Sequence, residues 1–109
     1  MTTFEERERS FENLFAHDAE QRFKATARRN HLLGVWAAEK MGFDADRTKQ
    51  YTDELVALVV RPDADDAIVD KIALDLTVAG DGTWALPDVR AAFDRFDAQA
   101  RHEFPVISS

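Results

Sequence analysis

Apolar positions in the first eighteen residues form one narrow stripe on an otherwise charged segment. Phe4, Phe11 and Phe15 fall within about 40° of one another on a helix that advances roughly 100° per residue, and Leu14 flanks them. The positions around this stripe carry charges. The pattern predicts an amphipathic helix that needs a partner surface, either the chain's own core or a groove on another protein.

The stripe does not continue into the rest of the first helix. Arg22, Thr26 and Arg29 occupy the same face, and one helix burying both halves on that face would have to bury two arginines. We therefore predict two units. Residues 1–18 form a separate arm that is disordered when free, and residues 19–109 form a helical bundle.

Four helices account for nearly the whole chain, and no run of alternating β-branched residues indicates a sheet. The fold class is therefore predicted as all-α, a four-helix bundle with a long first helix and a flexible N-terminal arm. The residues that mark the predicted boundaries are the stop Gly42, the caps Asp44 or Asp46 and Asp63, the breaker Pro62 and the N-terminal Pro87.

The net charge of −7 lies entirely in residues 32–109, because residues 1–31 carry six acids and six bases. An acidic body repels phosphate backbones, so general nucleic-acid binding is not expected. No apolar run approaches the length of a membrane span, no secretory signal is visible, and the chain contains no cysteine. These features fit a reducing cytoplasm and predict no direct membrane insertion.

Patterns that carry enzyme chemistry are missing from the sequence. His17, His31 and His102 are scattered, neither acidic opening has the spacing of a calcium loop, and the glycines form no phosphate cradle. We therefore predict that the protein is not an enzyme, has no metal site and requires no cofactor.

One charged cluster offers a binding site on the bundle. Lys24, Arg28, Arg29, Asn30 and His31 form a basic patch on the first helix, one turn before Trp36. Arginine grips phosphate in a bidentate manner, and an aromatic ring gives a base a surface for stacking. The alternative is a solvated face that pairs with Glu20 and with the acidic body.

The N-terminal motifs resemble a known family. The stretch FEERERSFENLFAHDAEQRFKATARRNHLLGVWAAEKMGF is similar to the alphaproteobacterial zeta subunit family of the F-type ATP synthase. In that family an aromatic-RER-x-FE-x-x-FAHD opening leads into F-K-x-x-ARRN-x-LLG-x-WAAEK. The matching positions are Arg7-Glu8-Arg9, Phe11-Glu12, Phe15-Ala16-His17-Asp18, Phe23-Lys24, Ala27-Arg28-Arg29-Asn30, Leu32-Leu33-Gly34 and Trp36-Ala37-Ala38-Glu39-Lys40.

The resemblance implies a cytoplasmic inhibitor of ATP hydrolysis, held peripheral to the inner membrane through the synthase. It implies that the arm inserts at a catalytic interface of the synthase head and folds into a helix there. The residues expected to contact the head are Phe4, Arg7, Glu8, Arg9, Phe11, Leu14 and Phe15. The resemblance also implies ADP or ATP as a regulatory ligand, which we place at Lys24, Arg28, Arg29 and Trp36.

Two other functions remain open on the sequence. The chain could be an ADP- or ATP-binding sensor bundle, or a homodimeric helical module that uses the arm for self-association. Removing the arm separates these hypotheses, because an inhibitor would lose function and keep its fold, whereas a dimer would dissociate.

Overall fold

Four α-helices make up the computed structural model, which describes residues 3–80 and 82–107, with side chains from residue 6 onward. No strand occurs in these two ranges. The all-α prediction is therefore confirmed, including the long first helix. The helices are α1 (Thr3–Met41), α2 (Ala45–Ala57), α3 (Ala64–Ala79) and α4 (Leu86–Glu103), with a short 3₁₀ turn at Leu58–Val60.

Helix α1 sets the long dimension of the molecule. Its 39 residues span about 58 Å at 1.5 Å per residue, and the molecule measures 64 × 27 × 23 Å. The helix runs without a break through Asp18, where the sequence predicts the end of the arm. The disorder of the arm in the free protein stays a prediction.

A left-handed glycine ends α1, as the sequence predicts. Gly42 adopts a φ of +73°, and its N–H donates to the carbonyl of Glu39 at 3.2 Å. The N–H of Phe43 donates to the carbonyl of Ala38 at 3.0 Å. This pair of hydrogen bonds is a Schellman motif, which satisfies carbonyls that the helix leaves without partners and turns the chain toward α2.

Aspartate side chains bind the first backbone N–H groups of α2 and α4, whereas Asp63, the predicted cap of α3, makes no side-chain cap hydrogen bond. The side chain of Asp44 accepts a 2.8 Å hydrogen bond from the N–H of Arg47 at the start of α2. At the start of α4 the side chain of Asp88 accepts from the N–H of Ala85 at 2.8 Å, with Pro87 in the first turn. Helix α2 ends before Pro62, because the chain tightens into the 3₁₀ turn first.

The core lies where the C-terminal half of α1 meets the other three helices. Gly34 permits the closest approach, since a Cβ there would lie 2.8 Å from Cγ2 of Thr52 on α2. On α3 the apolar residues that repeat every four positions, Ile68, Ile72 and Leu76, are all buried. The largest apolar side chains of this core are Leu33, Tyr51, Leu55, Ile68, Val69, Ile72, Leu76 and Val89.

Candidate functional site

The N-terminal part of α1 presents the predicted stripe to solvent. We call Phe4, Phe11, Leu14 and Phe15 the arm stripe. Phe11 is 70% exposed and Phe15 is 66% exposed, while Leu14 is half-buried. The side chain of Phe4 lies outside the described side chains. Two large aromatic rings therefore lie exposed on one helix face, which is uncommon because large side chains of this kind are usually buried.

Charged residues border the arm stripe. Arg7, Glu8 and Arg9 are all exposed on the same segment of α1. From Glu6 to His17, Leu14 is the one residue that is not exposed, and Asp18 is the first buried residue. The arm surface is therefore an apolar stripe with a polar rim, the arrangement that amphipathic helices use in a partner's groove.

The structure separates the members of the predicted basic patch. Nζ of Lys24 lies 3.1 Å from Oε1 of Glu20, one turn earlier on α1. Nε of Arg28 lies 2.9 Å from Oε2 of Glu103 on α4. The hydrogen bond from Arg28 holds the pKa of the Glu103 carboxyl below its usual value. Both cations therefore have acidic partners at the surface, which matches the solvated-face alternative for these two residues.

Arg29 requires a correction, because it is not part of an exposed patch. Its side chain is only 1% exposed and lies between helices. One guanidinium nitrogen lies 2.9 Å from Oδ1 of Asp65, and the other lies 3.2 Å from Oδ1 of Asp97. The guanidinium also stacks 4.4 Å above the ring of Phe93. Burial is tolerated because these partners compensate the charge, which the sequence argument against buried arginines did not foresee.

The residue after Arg29 completes this buried network. The side-chain oxygen of Asn30 accepts two hydrogen bonds from Arg29, at 3.2 and 3.0 Å. Its Nδ2 donates to the carbonyl of Leu55 at 2.9 Å, where α2 nears its end. The Arg28-Arg29-Asn30 segment therefore has two roles. Arg28 faces solvent, and the next two residues tie α1 to the other helices.

Arg28 and Trp36 do share one surface, a groove of about 340 Å³ between α1 and α4 that we call the Trp36 groove. Arg95 of α4 borders the same groove and stacks 4.6 Å above the ring of Phe96. The arrangement can hold a small anion with an aromatic part, because cations and ring faces line it together. The full lining is Arg28, His31, Leu32, Val35, Trp36, Glu39, Arg95 and Phe96.

A family model described as ATPase inhibitor subunit zeta matches residues 1–103, which include both the arm and the bundle. The chain belongs to this family. No curated protein and no solved structure matches it. Membership in the zeta family supports an inhibitory, non-catalytic role, and the family name implies an interaction with the ATP synthase.

The described part of this zeta-family chain contains neither a cluster of metal-ligating side chains nor a helix that could span a membrane. No three His, Asp or Glu side chains of residues 6–80 and 82–107 come together as metal ligands. No helix in those ranges is both long enough and apolar enough to cross a bilayer.

The zeta-family structure contains two features that the sequence analysis missed. Arg95 reaches the Trp36 groove from α4, and the chain after α4 returns to α1 near Asp18. The sequence offered one signal for the position of Arg95, which is that this arginine directly precedes Phe96. No pattern in the last residues indicates the second.

Proposed function

We propose that this chain inhibits ATP hydrolysis by inserting the arm stripe into a catalytic interface of the F-type ATP synthase head. The observation that supports this proposal is the exposure of Phe11 and Phe15 on a helix that extends past the bundle. Family membership supplies the inhibitory role. Binding to the head would hold the protein peripheral to the inner membrane on the cytoplasmic side.

Burial of the arm stripe favours docking. Each phenylalanine that moves from water into an apolar groove contributes about 1.5–3 kcal/mol. Ordering the backbone opposes this by about 1–2 kcal/mol per residue before hydrogen bonds offset it. Because the arm continues directly into the packed part of α1, its helix can grow from an existing nucleus and avoids the cost of nucleation.

The charged rim favours one orientation in the groove. Arg7 and Arg9 flank Glu8, so the rim carries both signs within one helical turn. Rim charges contribute little to affinity but steer association and fix the register of a docked helix. We therefore assign binding energy to the phenylalanines and orientation to Arg7, Glu8 and Arg9.

The decisive experiment measures ATP hydrolysis by the isolated catalytic head while the protein is titrated. We expect the wild type to inhibit, and Phe11→Ala and Phe15→Ala each to weaken inhibition about thirtyfold or more, the effect of losing a hot-spot ring. The matched control is Phe23→Ala. Phe23 is exposed on α1 but lies about 80–120° away from the stripe, so this variant should inhibit like the wild type.

Two results would contradict the proposal. One is full inhibition by the Phe11→Ala/Phe15→Ala double variant. The other is dissociation of a dimer by the same double variant in sedimentation, which would assign the stripe to a second copy of the chain.

A second proposal concerns the Trp36 groove, which we propose as a weak site for ADP or ATP. Arg28 and Arg95 bring two positive charges to the groove, where Arg28 also pairs with Glu103 and Glu39 lies in the lining, and Trp36 is half-buried beside them. Of the residues predicted from the sequence, this site includes Arg28 and Trp36, and Arg95 takes the place of Arg29. A site this open should bind in the micromolar to millimolar range, about −4 to −8 kcal/mol.

Titration of ADP followed by backbone amide shifts tests the groove. Shifts should centre on Arg28, Trp36 and Arg95, and Arg95→Ala should weaken binding. The control is Arg61→Ala. Arg61 pairs with Asp63 in the connection before α3, and it does not line the groove. Equal binding by the Arg95→Ala and Arg61→Ala variants would leave the groove without a role.

A further inference from the structure

The chain after α4 crosses α1 at the base of the arm. We call residues 104–107 the C-terminal tail. The N–H of Ile107 donates a 2.8 Å hydrogen bond to Oδ1 of Asp18, and Nε2 of Gln21 donates to the carbonyl of Pro105 at 3.3 Å. The tail is therefore fixed against the first buried turn of α1, where the arm begins.

The tail extends the apolar surface of the arm. Asp18 lies three residues after Phe15 and four after Leu14, so all three share one face within a single helical turn. Asp18 is buried and its bond to Ile107 is part-buried, but Ile107 itself is 68% exposed. A solvent-exposed isoleucine therefore lies close to the base of the arm stripe, although it follows Asp18 by 89 positions in the chain.

A pocket of about 360 Å³, which we call the tail pocket, lies further along the same face of α1 toward the bundle. Arg22 borders it, and Arg22 lies about 20° from Phe11 around the α1 axis. Apolar groups of Phe104, Pro105 and Val106 line the opposite side. Within the described residues the guanidinium of Arg22 has no carboxylate partner, whereas Arg101 at the other edge lies 2.9 Å from Asp97.

We propose that the C-terminal tail is the second half of the docking surface. The partner that receives the arm stripe also packs against Ile107 and seats one apolar side chain in the tail pocket, with a carboxylate opposite Arg22. This inference rests on the proposed function, because it assigns the tail to the same partner.

Continuity and charge identify the occupant. The bond from Ile107 to Asp18 places the tail within one helical turn of Phe15, so a partner covering Phe15 reaches the tail next. The pocket combines apolar walls with an exposed guanidinium, which suits an apolar residue beside an acidic one. Both charged residues that line the pocket, Arg22 and Arg101, are arginines, so an acidic segment would meet positive charge there.

Inhibition titrations with the full-length chain and the catalytic head test the tail. Ile107→Asp keeps the backbone N–H that binds Asp18, and Arg22→Glu reverses the charge at the pocket. Each should raise the inhibitory concentration about tenfold, the size of a moderate interface contact. The matched control is Val78→Asp, which places the same acid at a 77% exposed valine of α3 and should inhibit like the wild type. Urea denaturation of each variant checks that the bundle is intact.

The outcomes separate this inference from the proposed function. If Phe11→Ala and Phe15→Ala lose inhibition while Ile107→Asp and Arg22→Glu inhibit like the wild type, the arm docks and the tail does not. If the phenylalanine variants inhibit normally, the arm proposal itself fails and the tail proposal fails with it. Loss in Ile107→Asp alone supports the tail contact and overturns the carboxylate opposite Arg22.

Discussion

The guanidinium of Arg29 and the carboxylate of Asp97 lie 3.2 Å apart, although 68 residues separate them in the chain. Arg29 is buried, and Asp97 is half-buried on α4. The second carboxylate on the same guanidinium, that of Asp65, belongs to α3. One side chain of α1 therefore joins two other helices, at the level where α1 enters the bundle from the arm.

Arg29→Met should lower the free energy of unfolding by about 2–3 kcal/mol, because the buried side-chain oxygen of Asn30 loses both of its donors and the ion pairs to Asp65 and Asp97 are removed. Arg29→Lys should also destabilise the protein, since an ammonium group cannot reach Asp65, Asp97 and Asn30 at once. Urea denaturation followed by circular dichroism measures both changes.

The neighbouring arginine is the control for this prediction. Arg28 belongs to the same motif but pairs with Glu103 at the surface. Arg28→Met should change stability by less than about 1 kcal/mol. Equal losses in the Arg28 and Arg29 variants would contradict the distinction between a surface pair and a buried network.

Local patterns predicted most of the fold. The Gly42 stop, the Asp44 cap and the α3 repeat of Ile68, Ile72 and Leu76 all depend on residues within a few positions of each other. Such features follow from backbone chemistry and helical periodicity alone. The arm stripe belongs to the same class, and for this reason its exposure on α1 could be expected.

Long-range pairing could not be predicted in the same way. The sequence places Arg29 on the same helix face as the arm stripe and does not show that Asp65 and Asp97 would meet it there. The tail is a second example, because the bond between Asp18 and Ile107 joins residues at opposite ends of the chain. Both depend on how the helices pack, which helical periodicity does not determine.

Gly34→Ala should destabilise the protein by about 1–3 kcal/mol, although alanine is the better helix former. The added Cβ would lie 2.8 Å from Cγ2 of Thr52 and 3.2 Å from Cδ1 of Leu55, so α1 and α2 would have to separate. Thermal or urea denaturation gives the sign of the change directly.

Adding Thr52→Ser provides the matching rescue. Serine lacks the methyl group that meets the new Cβ but keeps the hydroxyl, which donates to the carbonyl of Lys49 at 2.9 Å. The double variant should recover part of the lost stability relative to Gly34→Ala. A stabilising effect of Gly34→Ala alone would show that the helices do not approach as closely as described.

Tyr51 should make the protein sensitive to alkaline pH. Burial, followed by the 2.8 Å hydrogen bond that its hydroxyl donates to Asp75, raises the pKa of Tyr51 well above its ordinary value of 10.0. Above pH 10 the unfolded chain therefore holds fewer protons than the native one, and the free energy of unfolding falls as pH rises. Below that pH this contribution is fully present.

The single tyrosine makes the pH measurement specific. Tyrosinate absorbance should appear only as the protein unfolds, and the stability of Tyr51→Phe should fall less steeply above pH 10 than that of the wild type. Asp75 keeps a partner in this variant, because Nζ of Lys71 lies 3.1 Å from it. Tyrosinate absorbance that rises near pH 10 in a folded protein would contradict the prediction.

Hydrogen exchange of the free protein should show a steep gradient along α1. Amides of residues 6–17 should exchange rapidly, because nearly every side chain there is exposed and opening the helix breaks no core contact. Protection should rise past Asp18 and reach its maximum near Leu33, which is completely buried. Adding the catalytic head should slow the arm amides, since docking would bury the arm stripe. Slow exchange from Phe11 to Phe15 in the free monomer would contradict the predicted disorder of the arm.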